Sequence, residues 1–248
     1  MDGKNVVELF DGRISAELRV FEAINEQLLS PFQYFIVSDV VDLSSLKWIR
    51  GGYKISDLEA VYVDNLERAA RIITAVEKYI ENLKEVIGLG FCCSIKHAHF
   101  MAQQFSDAGI PSMALDSTSS REQRNNAKSM LRQGDINFIF VVDLYNEGVD
   151  IKEINTILFL RPTESLTVFL QQLGRGLRLA EGKEWLTVLD FVGRSHKKYS
   201  FESKLRTLIG KTHNKLNEEI EEGFPNLPAG CYIQMERVAQ KYILENIK

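Results

Sequence analysis

Through the last two thirds of the chain, short apolar runs of about five residues alternate with amphipathic stretches of about twelve. Residues 89–94, 112–115, 136–142, 156–160 and 186–190 read as strands. The third (Ile-Asn-Phe-Ile-Phe-Val-Val) is nearly continuous in apolar character, as expected of a strand covered on both faces. Between them, 97–108 has helical spacing and ends at Gly109. Ser120 opens another helix, with Gln123 in capping-box position and Gly134 as its stop. Ser165 begins a helix that runs to Gly174, and a last helical pattern covers 196–208. This rhythm predicts βαβ units, hence an α/β doubly wound, mostly parallel sheet with helices on both faces. Ligand loops of such sheets lie at the carboxyl ends of the strands.

The first third differs. Leu18, Phe21, Ile24 and Leu28 predict a helix over 15–30 that Pro31 stops. A β-branched run at 34–42 predicts a strand, and Gly51-Gly52 a turn. Leu66, Ala69, Ile73, Val76 and Ile80 place one apolar side on a helix over 65–83. After a loop-like stretch at 223–231, 233–247 again reads as helix. The expected organisation is a helical N-terminal preface and linker over 1–85, an α/β lobe over 86–210, and a C-terminal helical tail over 211–248.

Composition narrows the function classes. The 248 residues carry a formal charge of −4, with 45% hydrophobic and 26% charged residues, so no global basic field advertises nucleic acid. Local amides and helix N-termini still hold phosphates in such a chain. Cys92 and Cys93 are adjacent and Cys231 distant, which gives neither a disulfide framework nor metal spacing. A reduced, cytoplasmic compartment fits. His97 and His99 point to different helix faces and read as surface or boundary residues, so no metal is expected. No apolar run approaches the ~20 residues of a membrane span, and no membrane partner is expected.

Three constellations carry chemistry. In Phe91-Cys92-Cys93-Ser94-Ile95-Lys96-His97-Ala98 a strand end turns into a helix. Ser94 or Lys96 there suits a phosphate, and Ser94 equally suits an ordinary N-cap. In Val142-Asp143-Leu144-Tyr145-Asn146-Glu147-Gly148-Val149-Asp150-Ile151 a buried strand empties into polar residues. Its glycine admits close backbone approach and Asp150 suits a ribose hydroxyl, while a plain Asp/Gly turn is the structural alternative. In Gln171-Gln172-Leu173-Gly174-Arg175-Gly176-Leu177-Arg178 two arginines three apart form a pair of permanently charged forks after a glycine that lets backbone come close. Such forks match phosphate oxygens, while taken alone a solvated helix end is the structural alternative.

In order and spacing these strings resemble motifs IV, V and VI of superfamily II helicases. Gln171, Gly174, Arg175 and Arg178 match the QxxGRxxR pattern, and Gly148, Val149 and Asp150 match the core of motif V. The resemblance spans about 87–195 and is nearest in flavour to restriction-enzyme subunits and excision-repair helicases. It implies a RecA-like second motor lobe, which supplies arginine fingers to ATP and Mg2+ held mainly by a first lobe of the same polypeptide. Carried over, Arg175 and Arg178 would reach the γ-phosphate and Gln171 would position water or couple nucleotide to nucleic acid. Gly148, Asp150 and Gly174 would line the nucleotide. Ser94, Lys96, Thr118, Asp143 and Asn146 would hold the backbone of a strand, DNA in preference to RNA. One departure stands out: Val142 replaces the threonine that many relatives carry six residues before the motif V glycine.

No G-x-x-x-x-G-K-[ST] string occurs. Gly210-Lys211-Thr212 is a fragment of one, but Leu205 stands at the first glycine's place and the preceding residues read as helix. Strand 186–190 ends in Asp190 followed by Phe191 rather than a glutamate. The expectation is therefore an ATP-dependent helicase lobe, inactive alone. The alternatives are a non-catalytic RecA-like interaction module, or part of a type III-like restriction subunit with nuclease activity elsewhere. Glu181-Gly182-Lys183 has the E-x-K ending of a nuclease metal site but lies in a turn before a strand.

Overall fold

A computed structural model describes residues 19–142, 151–210 and 212–247. Nine strands are present among them: β1 (Phe32–Asp42), β2 (Trp48–Ile49), β3 (Gly52–Tyr53), β4 (Gly88–Phe91), β5 (Ser112–Leu115), β6 (Phe138–Val141), β7 (Thr156–Phe159), β8 (Leu186–Arg194) and β9 (Tyr232–Met235). Seven form one sheet in the order β5-β6-β4-β7-β8-β1-β9, and all six neighbouring pairs are parallel. The other two make a small antiparallel hairpin.

The helices are α1 (Val20–Asn25), α2 (Ile55–Tyr62), α3 (Leu66–Tyr79), α4 (Ile95–Asp107), α5 (Arg121–Gln133), α6 (Leu166–Gly176), α7 (Phe201–Leu208), α8 (Leu216–Glu221) and α9 (Arg237–Ile247). Alternation along the strands feeds two cores. Phe138 and Phe140 pack with Ile72 and Val76 of α3 and with Met101 and Phe105 of α4 on one face. Ile139 and Val141 join Leu131 of α5, Leu173 of α6, Leu205 of α7 and Ile243 of α9 on the other. The doubly wound α/β expectation holds. Local chemistry sets the helix ends: Ser120 and Gln123 exchange both capping-box hydrogen bonds, and Gly134 ends α5 at φ 79°.

Several local expectations are corrected. The described part of the first helix is only Val20–Asn25, Gln27 turns the chain at φ 58°, and Leu28 is exposed. On α3, Ala69 and Val76 are buried and Ile73 and Ile80 partly so, as expected, but Arg68, Ile72 and Ala75 join the buried side and Leu66 is exposed. Only Phe201–Leu208 of 196–208 is helical, because Ser200 caps α7 by accepting from the Ser203 amide. Residues 233–235, expected as helix, belong to strand β9. They satisfy the outer edge of β1, with Ile233 opposite Tyr34. Gly210 follows an extended C-cap, and a β-carbon on it would meet the Phe21 ring at 2.7 Å. Close packing, rather than a helix stop, thus explains it.

The strand expected at 34–42 is the longest in the sheet and lies between β8 and β9. Residues on both sides of position 85 therefore build one sheet. Among the described residues no helix is long and apolar enough to cross a membrane.

Candidate nucleotide and strand site

Because every ladder is parallel, the loops after β4, β5, β7, β8 and β1 open on one edge of the sheet. On α6, Phe169, Gln172, Leu173 and Gly176 form the buried stripe, at helical spacing. Gln171, Gly174 and Arg175 share the opposite, half-buried side, and the half-buried Arg178 follows just beyond the C-cap Leu177. The two glycines play different parts. A β-carbon on Gly176 would lie 2.4 Å from Leu186 and 2.9 Å from Ile157, so packing against β7 and β8 demands glycine. A β-carbon on Gly174 would meet no described atom within 4 Å. The close approach expected at Gly174 is thus not made within the described residues.

The far end of α6 is held firmly. Lys183 donates to the carbonyls of Gly176 and Arg178, the second at 2.8 Å. Burial, then the neighbouring Arg178 charge, pushes its ammonium down to about 8. Ser30 donates its amide to the Leu177 carbonyl (2.7 Å) and its hydroxyl to that of Arg178 (3.2 Å). Lys183 is therefore engaged as a helix-end cap, a use that leaves the E-x-K reading without its lysine. The Arg178 guanidinium donates to the Ile151 carbonyl at 3.1 Å, which joins motif VI to the residue that follows motif V. Asp143, Asn146, Gly148 and Asp150 lie outside the described residues.

Ser94 caps α4, its hydroxyl accepting from the His97 amide at 3.2 Å. Lys96 is largely exposed and pairs with Glu59 of α2 at 3.1 Å. Hydrogen bonding from Ser94, then from Lys96, lowers the Glu59 pKa. Thr118 donates its hydroxyl (2.6 Å) and amide (2.7 Å) to Asp116, which also meets His99 at 3.1 Å. Those bonds, the Thr118 hydroxyl first, bring Asp116 down to about 2. Ser94 and Thr118 are thus already engaged within the protein, and Lys96 is held by an exposed pair worth little.

His97 is the larger correction: it is wholly buried, not at the surface. Its Nε2 is 3.3 Å from Arg68, its Nδ1 3.3 Å from the Cys93 amide, and its ring stacks on Tyr62. Burial, then the charges of Arg68 and Arg161, drives its pKa well below the ordinary value, so the ring is neutral. Arg68 is the centre of this cluster. It donates to Asp39 of β1 (2.9 and 3.2 Å) and to the Leu160 carbonyl after β7 (2.8 Å), and lies 3.9 Å over Tyr62. It ties α3 to β1, to the end of β7 and to His97 of α4. Its position beside Ala69 and one turn before Ile72 was the available signal in the sequence.

Asp190, at the end of the apolar run of β8, is buried and paired with Lys204 at 2.5 Å while accepting from Tyr34 at 2.8 Å. Helix α7, rather than a strand, precedes Gly210. No group of three or more His, Cys, Asp or Glu side chains suited to a metal exists among the described residues.

Residues 68–180 match the model of the helicase conserved C-terminal domain. This region is similar to the C-terminal domain of superfamily II helicases.

Among relatives, the chain is 27% identical over 183 residues to a 51.5 kDa protein of a Lactococcus phage, covering 74% of this chain and 39% of that one. It is 25% identical over 195 residues to IRC3 of Saccharomyces cerevisiae, named as a candidate ATP-dependent helicase, covering 77% and 28%. The helicase domain and its flanks therefore span well under half the length of these relatives. In fold it resembles the ATP-dependent type ISP restriction-modification enzyme LlaBIII bound to DNA, at TM-score 0.61, 15% identity, and 97% of this chain against 18% of that one. It also resembles the yeast DEAD-box splicing factor Prp28, at TM-score 0.54, 15% identity, and 87% against 37%. The fold is RecA-like.

Proposed function

We propose that this domain is the second motor lobe of an ATP-dependent superfamily II DNA helicase or translocase. The observation that carries the reading is α6, which sets Gln171, Gly174 and Arg175 on one half-buried side above a packed stripe, with Arg178 just beyond its C-cap and turned toward the Ile151 carbonyl. A lobe built this way completes a nucleotide cleft rather than forming one. ATP with Mg2+ is held mainly by the other lobe, and the Mg2+ offsets phosphate charge there. Arg175 and Arg178 reach the γ-phosphate, where guanidinium forks stabilise charge on the transferring group. Gln171 orients water or links nucleotide state to the strand, and Gly148 and Asp150 line the nucleotide. On the nucleic-acid side Lys96 exchanges Glu59 for a strand phosphate, and Ser94, Thr118, Asp143 and Asn146 flank that path. Lobes closing on ATP and opening after hydrolysis would ratchet along the strand.

Two experiments test this. The 248-residue chain alone should show negligible ATPase activity, and robust turnover by it would end the half-motor reading. In a two-lobed protein containing this domain, Arg175→Ala should lower ATP turnover by roughly 10³-fold while ATP binding survives. An unchanged rate would remove Arg175 from the mechanism. RNA is the second reading, favoured by the match to pre-mRNA-splicing ATP-dependent RNA helicases, which reaches 26% identity over 121 residues.

A further inference from the structure

The carboxyl edge of the sheet carries a concentration of positive charge where β1 and β8 end, away from the end of α6, which lies beside the strand starts. Two segments build it. Residues 44–56 leave β1 and double back as the β2–β3 hairpin; they contain Lys47, Arg50 and Lys54 and no acid. Residues 191–201 contain Arg194, Lys197 and Lys198 and no acid, in a chain whose net charge is −4. β1 and β8 are neighbours with Asp42 opposite Arg194, so the two segments emerge side by side.

They are also fastened together. The Leu43 amide donates to the Arg194 carbonyl (2.8 Å), and the His196 amide to the Tyr53 hydroxyl (2.6 Å). The Trp48 ring stacks on His196 at 5.2 Å between centroids and 15° between planes. At the tip Arg50 and Gly51 have φ of 53° and 88°, a two-residue turn that holds Arg50 outward and exposed. The facing acids are few and engaged. Asp57 pairs with Lys54 at 3.6 Å, Asp42 accepts from the Ser44 amide, and Glu164 accepts from the Tyr53 amide. Glu245 of α9 lines a hollow with Arg194 and Lys197 and pairs with Lys241 at 3.9 Å.

The hairpin runs directly into α2, whose Glu59 meets Lys96. Eight helical residues cover about 12 Å, so this surface continues the edge on which Lys96 lies. We propose that the β2–β3 hairpin and the 194–198 loop form a phosphate-backbone binding surface for a single nucleic-acid strand. The inference rests on the reading of the domain as a nucleic-acid motor. It adds a binding segment outside motifs IV, V and VI, in which clustered cations track the backbone and the partly exposed Trp48 ring offers a stacking surface.

The test titrates the 248-residue chain against a labelled oligothymidylate at several salt concentrations. Two triple reversals, K47E/R50E/K54E and R194E/K197E/K198E, are compared with K84E/K152E at the opposite, amino-terminal edge. Circular dichroism and unfolding transitions verify that each is folded, and the corresponding alanine triples replace any reversal that is not. Each hairpin or loop variant should bind roughly tenfold or more weakly at low salt, and its slope of log K against log[salt] should fall by about 2, as expected for three lost single-strand phosphate contacts. The amino-edge control should bind unchanged. In Trp185→Phe, which leaves Trp48 as the remaining tryptophan, the strand should quench its fluorescence.

Unchanged binding by both triples, an equal loss in the control, or a wild-type chain that does not bind the strand would each overturn the inference. Lys96→Glu separates it from the underlying reading. If that variant loses binding and the triples do not, the motif-based path stands and this surface falls; the converse result keeps this surface and removes Lys96.

Discussion

Replacing Arg68 with methionine tests the buried cluster beside the site. The side chain is 2% exposed and its partner Asp39 3%, so the substitution leaves a carboxylate in the interior without its counter-charge. Breaking a buried pair this way costs about 3–5 kcal/mol. The Leu160 carbonyl loses its charged donor as well, which alone is worth about 1–3 kcal/mol, although the two losses overlap. An overall cost near 4 kcal/mol is a large part of the ~5–15 kcal/mol that stabilises a domain. With a urea slope near ~3 kcal/mol per molar, the unfolding midpoint should drop by about 1.3 M. The companion measurement is Arg68→Met with Asp39→Leu. Because an apolar pair strands no charge, the double variant should recover most of the loss. A single-variant cost below about 1 kcal/mol, or a double variant as unstable as the sum of the two singles, would show that the ion pair does not organise this cluster.

Two further predictions concern His97 and the glycines of α6. His97 is held neutral in the folded state while the unfolded ring titrates near ~6.5. Its contribution is therefore complete above that value and is lost as pH falls below it, with a slope of up to about 1.4 kcal/mol per pH unit. Urea midpoints between pH 7 and 5 should decline less steeply in His97→Gln, and identical slopes would remove His97 as a source of acid sensitivity. The α6 glycines should separate cleanly. Gly176→Ala should destabilise by roughly 1–3 kcal/mol through overlap with Leu186. Gly174→Ala should be neutral or stabilising by up to ~1 kcal/mol, yet should slow ATP turnover in a two-lobed motor; a destabilised chain would contradict the open space at that position.

What the sequence made legible was governed by neighbours in the chain. Ser120 with Gln123, Gly134 at the end of α5 and Ser165 before α6 are local hydrogen-bonding choices, and each element formed where those residues place it. The parallel sheet followed from the alternation of short apolar runs with helices. The failures share a different cause. Residues 233–235 have no local mark of a strand, and they become one because the edge of β1, some 200 residues earlier, has amides and carbonyls to satisfy. His97 and Arg68 look like polar residues on amphipathic helices; Asp39 and the Leu160 carbonyl, contributed by other elements, make the burial of Arg68 tolerable, and Arg68 with the Cys93 amide that of His97. The basic surface was hidden in the same way. Its two cationic segments are about 150 residues apart, and strand pairing brings them together.

The position of β1 has a consequence for how the protein is made. Tyr34 and its partner Asp190 are 156 residues apart in the chain, so β1 leaves the ribosome long before its partner strand exists. At about 5–20 residues per second, that interval lasts roughly 8–30 s. Throughout it, an eleven-residue, mostly apolar segment has both backbone edges unsatisfied, a template for intermolecular pairing. The nascent chain should accordingly depend on chaperones until translation passes β8, and slow codons between residues 42 and 186 should lower soluble yield without altering the finished fold.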